Sequence, residues 1–156
     1  MYVDLQLAMH AMTCPMLGRL KDKLNRKISQ AELDAAARRS LQARLQKLPD
    51  RIQLCHGDFN PSNIIITPDG APYILDWAHA AQGDACADAA LTCLFFRLSG
   101  DTAGAQKYLD LFCQKSGTAP QQVHNWLPIA AASRYAKGNI HEREFLLGYI
   151  NAANDQ

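Results

Sequence analysis

Several polar side chains that can do chemistry lie together in one short stretch, His56-Gly57-Asp58-Phe59-Asn60-Pro61-Ser62-Asn63, between two apolar runs. A carboxylate such as Asp58 can accept a proton from a hydroxyl group. Asn63 and the later Asp76 offer oxygen atoms, and these suit Mg²⁺ better than they suit a soft metal. The stretch therefore predicts a site that combines a proton acceptor with a divalent cation.

A β-hairpin is predicted to bring these residues together. Residues 64–67 and 73–75 are short β-type runs, and the Pro-Asp-Gly sequence between them is a turn signal. Proline presets φ there and glycine accepts a positive φ. In an antiparallel pair, the start of one strand lies beside the end of the other. Asn63 and Asp76 should therefore lie at the same end of the hairpin, with Asp58 on the loop that enters that end.

The rest of the chain is predicted to be mainly helical, because apolar residues recur at helical spacing. Ser29 and Glu32 fit a capping box at the start of one helix. The predicted helices cover residues 5–12, 17–24, 30–48, 85–98, 103–115, 120–136 and 141–152, and a further β-type run covers residues 52–55. The fold class is α+β and mainly α-helical, with a single domain over residues 1–156 that carries one small hairpin.

The loop also fits the kinase catalytic-loop pattern H-x-D-x-x-x-x-N, in which the Asp acts on the substrate hydroxyl and the Asn binds magnesium. Here a glycine follows the histidine, a proline lies two residues before the asparagine, and Leu75-Asp76-Trp77 follows the hairpin. Gly83-Asp84 and Asp88-Ala89-Ala90 come at the next predicted helix. With these features, residues 1–150 resemble the C-terminal lobe of the aminoglycoside phosphotransferase and choline kinase-like family.

This resemblance implies the helical C-terminal lobe of a protein-kinase-like fold. It also implies an ATP-dependent phosphotransferase that acts on a hydroxyl group of a small molecule. In that reading Asp58 orients or deprotonates the acceptor hydroxyl, and Asn63 and Asp76 bind a Mg²⁺ ion that bridges the nucleotide phosphates. The other polar residues of the motifs are expected to support the site: His56, Asn60, Asp84 and Asp88.

The N-terminal lobe of that family carries a nucleotide-covering loop and a strand lysine. Neither feature precedes His56 in this sequence. We therefore expect the chain alone to be incomplete or inactive as an enzyme and to bind ATP weakly. The face on which the lobe would dock, with Leu5 and Met9 of the first helix, is expected to be open. Because soluble proteins seldom expose large apolar patches, a homodimer through this face is expected.

Composition and charge exclude several classes of partner. The net charge is +1 and no stripe of Lys or Arg stands out, so nucleic acid is not indicated. No secretory signal and no apolar run of membrane-spanning length are visible, so a cytoplasmic location without a membrane partner is expected. The five cysteines form no CxxC pair and are interpreted as packing thiols.

The sequence does not indicate whether the acceptor molecule is charged. From Trp77 onward the chain carries seven acidic residues and six basic ones. A site for a polycationic aminoglycoside should show a clear surplus of acidic residues, whereas this segment has only one more acidic residue than basic ones. The expected partners are a nucleotide and a small hydroxyl compound, such as a sugar, an amino alcohol or an antibiotic.

Two other functions remain open at this point. The first is a non-catalytic binding or scaffolding domain that keeps the kinase-like fold. The second is a metal-dependent hydrolase that uses zinc, with Cys55, His56, Asp58 and His79 as ligands. The second hypothesis is disfavoured by the adjacency of Cys55 and His56, because neighbouring side chains of a strand point in opposite directions.

Overall fold

The computed structural model describes residues 1–152, and within them the predicted mainly helical α+β class is confirmed. The α-helices are α1 (Tyr2–His10), α2 (Leu20–Gln30), α3 (Ala35–Lys47), α4 (Ala85–Leu98), α5 (Thr102–Ser116), α6 (Pro120–His124), α7 (Leu127–Tyr135) and α8 (Arg143–Ala152). The strands are β1 (Gln53–Cys55), β2 (Ile64–Ile66), β3 (Pro72–Ile74) and β4 (Ala81–Gly83).

Helix α4 lies at the centre of the core and packs against α5, α6 and α7. Alanines at positions 89, 90, 130 and 131 are buried in α4 and α7. Such small side chains let two helices approach closely, and larger side chains such as Leu94, Phe112 and Trp126 fill the remaining space. The centre of the molecule is therefore a rigid support for whatever is attached to the start of α4.

The strands form two separate antiparallel pairs. In the first pair β1 lies beside β4, with Cys55 opposite Ala81. In the second pair β2 and β3 form the predicted hairpin, with Ile64 opposite Ile74. The loop that carries the HGDFNPSN sequence runs from the end of β1 to the start of β2, so both pairs hold it in place.

The predicted helix over residues 30–48 is wrong at its start. Helix α2 continues to Gln30, and α3 begins only at Ala35. Ser29 lies inside α2, where its hydroxyl donates to the Asn25 carbonyl oxygen, so it caps nothing. Asp34 is the N-cap instead, and its Oδ1 accepts from the Ala37 amide at 2.7 Å. The sequence pattern misled because the apolar stripes of the two helices follow one another almost without interruption.

Other elements also differ from the sequence prediction, since α1 covers Tyr2–His10 instead of residues 5–12 and α2 covers Leu20–Gln30 instead of residues 17–24. The predicted helix over residues 120–136 divides into α6 and α7, with Pro128 in the first turn of α7. Proline fits a first turn because its missing amide has no helical partner there. Strand β4 was not predicted, since Ala-Gln-Gly has weak β-propensity and forms a strand only through its pairing with β1. Before α8, residues 140–142 form a short 3₁₀ helix.

The prediction that Met9 is left open is also wrong, since its side chain is 1% exposed. Leu5 is half-buried. Helix α1 packs on α5 and β1, which cover the face assigned to Met9. In the described part of the chain, the large apolar side chains that remain exposed on the hairpin are Ile65, Ile66 and Tyr73.

The five cysteines are free, and four of them are buried: Cys55, Cys86, Cys93 and Cys113. Burial raises the pKa of the Cys86 and Cys93 thiols to about 12. These thiols therefore stay protonated at neutral pH, which agrees with packing rather than redox or metal chemistry. None of the helices described here combines the length and the apolar character needed to cross a membrane.

The position of the α3 N-cap can be tested with two substitutions. Asp34→Ala should lower the free energy of unfolding by about 1 kcal/mol, because it leaves the Ala37 amide without its acceptor. Ser29→Ala should change it by less than about 0.5 kcal/mol. Urea denaturation followed by circular dichroism measures both. A larger loss for Ser29→Ala than for Asp34→Ala would contradict this assignment and would place the start of α3 near Ser29, as the sequence suggested.

Candidate active site

The polar loop begins where β1 ends and closes in a single 3₁₀ turn, Pro61–Asn63, before β2. Asn60 starts this turn, and its side-chain oxygen accepts from the Ser62 amide at 3.0 Å. Pro61 occupies the first position of the turn, where no amide is needed. The loop is thus short and ordered by its own side chains, and it delivers Asn63 to the start of the hairpin.

Asp58 and Asn63 contact each other directly. The side-chain amide nitrogen of Asn63 donates to Asp58 Oδ2 at 3.0 Å and to the Asp58 carbonyl oxygen at 2.9 Å. The side-chain amide nitrogen of Asn60 donates to the other carboxylate oxygen, Oδ1, at 3.2 Å. Two amides therefore fix the half-buried Asp58 carboxylate in one orientation. Because the Asn63 nitrogen is used in this way, its side-chain oxygen is left to bind something else.

Asp76 lies at the same end of the hairpin as Asn63, as the sequence predicted. The Leu75 amide donates to the Asn63 carbonyl oxygen at 2.8 Å, one position beyond the Ile64–Ile74 pair. Asp76 is exposed, and no donor in residues 1–152 is bonded to its carboxylate. Its φ of 55° lies in the left-handed region, and no other non-glycine residue described here has a positive φ. Such a conformation in a short polar turn is a common feature of functional sites.

His56 is fully buried and connects the loop to the end of the hairpin. Its Nε2 lies 2.8 Å from the Leu75 carbonyl oxygen, and its Nδ1 lies 3.2 Å from the Asp58 amide nitrogen. The amide can only donate, so Nδ1 accepts and Nε2 carries the proton. Both ring nitrogens are therefore used for positioning, and His56 holds Asp58 and the residue before Asp76 at a fixed separation.

Gly57 has a φ of +78° and lies against the backbone of His79. A Cβ atom at this position would come within 2.8 Å of the His79 carbonyl oxygen. A glycine directly after the histidine allows close approach of another backbone segment, and in the structure that segment is His79. The requirement for glycine is therefore steric as well as conformational.

Asp88 lies beneath the loop, in the first turn of α4, and is 2% exposed. Its carboxylate accepts from the His56 amide at 3.1 Å and from the Gly57 amide at 2.8 Å. His10 Nε2 of α1 lies 3.0 Å from Asp88 Oδ2. Burial raises the pKa of Asp88, but the hydrogen bond and charge of His10, together with the two amides, hold it below its usual value. Asp88 thus binds the loop as an ionised acceptor with almost no contact to solvent.

A second buried connection holds the Phe59 carbonyl oxygen. It accepts from the Thr92 hydroxyl of α4 at 2.9 Å and from the Tyr2 hydroxyl of α1 at 3.1 Å. Gln6 joins the same network by donating to Thr92 at 3.2 Å. Together with His10, these residues were not identified from the sequence. A signal exists, because Tyr2, Gln6 and His10 follow at intervals of four and form a polar stripe along one face of α1.

Asp84 is not hydrogen-bonded to Asp58, Asn63 or Asp76. Its Oδ1 accepts from the Cys86 amide at 2.9 Å and caps α4. Its Oδ2 lies 3.9 Å from Arg51 Nε. Asp84 therefore fixes the start of the helix that carries Asp88, and it acts on the loop only through that helix.

The zinc site of the hydrolase hypothesis is not formed. Among residues 1–152, no three His, Cys, Asp or Glu side chains come together in a metal-binding group. The Cys55 thiol donates to the Asp84 carbonyl oxygen at 3.5 Å, and both His56 nitrogens are used as described above. The candidate ligands of that hypothesis are therefore separated or already bonded.

Comparison with known proteins tests the family expected from the sequence. The sequence profile of the phosphotransferase enzyme family matches residues 4–130, most of the chain. The chain belongs to this family. The resemblance drawn from the loop and hairpin motifs is thereby confirmed. No curated protein gives a significant sequence match to this phosphotransferase family member.

A solved structure similar to this phosphotransferase family member is that of LicA in complex with AMP. The TM-score is 0.63 and the sequence identity is 16%. The match covers 98% of this chain and 59% of the LicA chain, so this chain spans somewhat more than half of that protein. At this identity the likeness shows the fold alone, and the fold is the kinase-like one expected from the sequence.

The close contact at Gly57 predicts an unequal response to two glycine substitutions. Gly70→Ala has only the left-handed backbone to accommodate, since nothing lies within 4 Å of the new methyl group, and should cost about 1–2 kcal/mol. Gly57→Ala must also displace the His79 backbone and should cost about 2–5 kcal/mol in total. Urea denaturation compares the two variants. Equal losses would show that the approach of His79 is not tight.

The ionised state of Asp88 predicts a particular pH dependence. Its folded-state pKa lies below the unfolded-state value of about 4, so its stabilising effect is present above that value and is lost as the pH falls through the folded-state pKa. Asp88→Asn should lower the free energy of unfolding by about 3 kcal/mol near neutral pH, because a new amide group faces backbone donors. The variant should also lose less stability than the wild type between about pH 5 and pH 3.

Denaturant titrations at several pH values measure this difference. Asp110→Asn on the exposed side of α5 is the matched control and should change the stability by less than about 0.5 kcal/mol. Parallel pH curves for the wild type and Asp88→Asn would mean that Asp88 is not ionised in the folded protein.

Proposed function

We propose that this chain is the catalytic lobe of an ATP-dependent phosphotransferase that transfers the γ-phosphoryl group to a hydroxyl group of a small molecule. The contact between Asp58 and Asn63, at the hairpin end that also carries Asp76, is the observation on which the proposal rests. Phosphoryl transfer has a loose transition state, so catalysis depends mainly on positioning and on neutralising phosphate charge. A proton acceptor beside two oxygen ligands suits that chemistry.

Asp58 is assigned to the acceptor hydroxyl. Its carboxylate is half-buried and is held by the amides of Asn60 and Asn63. Each carboxylate oxygen has further lone pairs that can accept a hydrogen bond from a substrate. Asp58 would orient the hydroxyl toward the phosphorus atom and accept its proton as the new bond forms.

Asn63 and Asp76 are assigned to Mg²⁺. The donor set fits a hard cation, because it consists of the Asn63 side-chain oxygen and an exposed carboxylate without a donor among residues 1–152. When bound, Mg²⁺ would neutralise negative charge on the nucleotide phosphates. The contribution of this chain is to hold the two oxygens at one end of the hairpin and Asp58 beside them.

The exposed apolar side chains of the hairpin favour a covering structure on that face. Ile65, Ile66 and Tyr73 are 48%, 46% and 57% exposed, respectively. A nucleotide-binding lobe would dock there in the family architecture, and a second copy of the chain is the other occupant expected from the sequence. Light scattering on the purified chain distinguishes a dimer from a monomer.

The roles of the two aspartates can be separated in a protein that carries this chain together with a nucleotide-binding lobe. Asp58→Asn removes the proton acceptor but no magnesium ligand, so kcat should fall by about 10²–10⁴-fold while Mg·ATP binding changes little. Asp76→Ala removes a magnesium ligand and should weaken Mg·ATP binding as well as turnover. A coupled assay for ADP formation and a calorimetric titration of Mg·ATP measure the two quantities.

Asp69 supplies the matched control for both substitutions. It lies in the turn at the opposite end of the same hairpin, is exposed, and accepts a hydrogen bond from Thr67. Asp69→Asn and Asp69→Ala should leave kcat and Mg·ATP binding unchanged. Equal effects of Asp58→Asn and Asp76→Ala on both quantities would contradict the assigned roles. A two-lobed protein without phosphoryl transfer to any hydroxyl compound would favour the scaffolding function instead.

A further inference from the structure

A cavity of about 270 Å³ lies beside the catalytic loop, between α2, α7 and the 3₁₀ turn that follows Asp76. Gly57, the residue before Asp58, forms part of its wall, and so does His79. The cavity therefore adjoins the loop immediately before Asp58, whose carboxylate is assigned to the acceptor hydroxyl. Its volume suits a small molecule rather than a large antibiotic.

The charged residues that line this cavity are basic. Lys23, Arg26 and Lys27 come from α2, at the spacing that places side chains on one face of a helix. In the described part of the chain, the lining includes no Asp or Glu. We call this cavity the basic pocket, defined by Lys23, Arg26, Lys27, His79 and Ser133.

Lys27 is the residue of the basic pocket with the clearest need for a partner. It is half-buried, and no acceptor in residues 1–152 is bonded to its ammonium group. Burial lowers the pKa of Lys27, the charges of Lys137 and Lys23 lower it further, and the charge of Asp58 raises it. Lys27 thus lies within electrostatic range of Asp58. Lys23, in contrast, already donates to the Ala80 carbonyl oxygen at 2.6 Å.

Ser133 of α7 provides a second, independent observation. It is 4% exposed and lines the same cavity, and no hydrogen-bond partner for its hydroxyl is found within residues 1–152. The hydroxyl oxygen is not among the fully buried polar atoms that lack a partner, so a molecule in the cavity can reach it. An accessible hydroxyl from α7 and an unpaired ammonium group from α2 line the same cavity, and both can donate to a polar ligand with acceptor atoms.

On the basis of the proposed phosphotransferase function, we infer that the basic pocket binds an acidic acceptor, a small molecule with both a hydroxyl group and a carboxylate or phosphate group. The acid would pair with Lys27 and receive a hydrogen bond from Ser133, which leaves the hydroxyl toward Asp58. A cationic acceptor would be repelled by three basic side chains. The sequence left a sugar, an amino alcohol or an antibiotic as possible acceptors. The basic pocket favours hydroxy acids and sugar phosphates instead.

The transfer step balances without a further reactant. The bond between the γ-phosphorus of ATP and its bridging oxygen breaks, and the electron pair leaves on ADP. A new bond forms between the phosphorus and the acceptor oxygen, and the hydroxyl proton passes to Asp58. The acidic group of the acceptor takes no part in these changes and serves only to hold the molecule.

Binding of four related sugars to the purified chain tests the inference. Gluconate carries a carboxylate and glucose 6-phosphate carries a phosphate ester, whereas glucose is neutral and glucosamine is cationic. Isothermal titration calorimetry should give at least about tenfold tighter binding for one of the two acids than for glucose and glucosamine. Preference between the acids identifies which anionic group the pocket takes.

Lys27→Gln should weaken binding of the preferred acid by about tenfold or more, because it removes the unpaired charge. Lys47→Gln removes the same charge from the exposed end of α3, outside the pocket, and should leave binding unchanged. Circular dichroism melts of both variants establish that they are folded. Binding should also weaken as salt is added.

Several outcomes would overturn the inference. These are binding of neither acid, tighter binding of glucosamine, and equal binding by the wild type and Lys27→Gln. Displacement of the acid by Mg·ATP would assign the lysines to the nucleotide phosphates and would also contradict it. None of these measurements requires catalysis. Failure of the proposed function would instead appear as absent phosphoryl transfer in the two-lobed protein, whatever the sugars show.

Discussion

One buried carboxylate holds the candidate site in place. Asp88 accepts hydrogen bonds from the His56 and Gly57 amides and lies against His10, with almost no contact to solvent. A buried carboxylate is stable only when its oxygens are satisfied, so the backbone of the loop has one position in which this condition is met. Asp58 follows directly after those two amides. Its location relative to the core is therefore set by contacts in which the Asp58 side chain itself takes no part.

The elements that satisfy Asp88 also form the core. Helix α1 supplies His10 and α4 supplies Asp88 itself, while Tyr2 and Thr92 of the same two helices hold the Phe59 carbonyl oxygen. The same contacts stabilise the core and position the loop, because the loop would lose its hydrogen-bond partners if α1 or α4 were displaced. The hairpin end is connected in turn through His56, which binds the Leu75 carbonyl oxygen before Asp76. Three segments distant in the chain thus act as one rigid support.

Two groups of opposite chemistry lie around the loop. The hairpin end with Asn63 and Asp76 offers oxygen atoms, which suit a hard cation. The basic pocket offers lysine and arginine side chains, with Lys27 half-buried and unbonded within the described residues. In the proposed function, the acidic group of the acceptor would bind in the pocket and the oxygen ligands would take the cation. The nearly even charge count of the C-terminal helices conceals this division, because the lysines that create it come from α2.

The sequence by itself determined the helical class, the hairpin, the family and the loop that carries Asp58 and Asn63. These features depend on local spacing and on turn chemistry, which are written in neighbouring residues. Only the tertiary structure decided that His10 meets Asp88, that Ala81–Gly83 is a strand, and that Lys27 adjoins the site. Each of these three features depends on contacts between segments far apart in the chain. Local sequence patterns carry no information about such contacts. The exception is the polar stripe of α1, whose spacing of four residues is visible in the sequence but acquires its meaning only when Asp88 lies opposite.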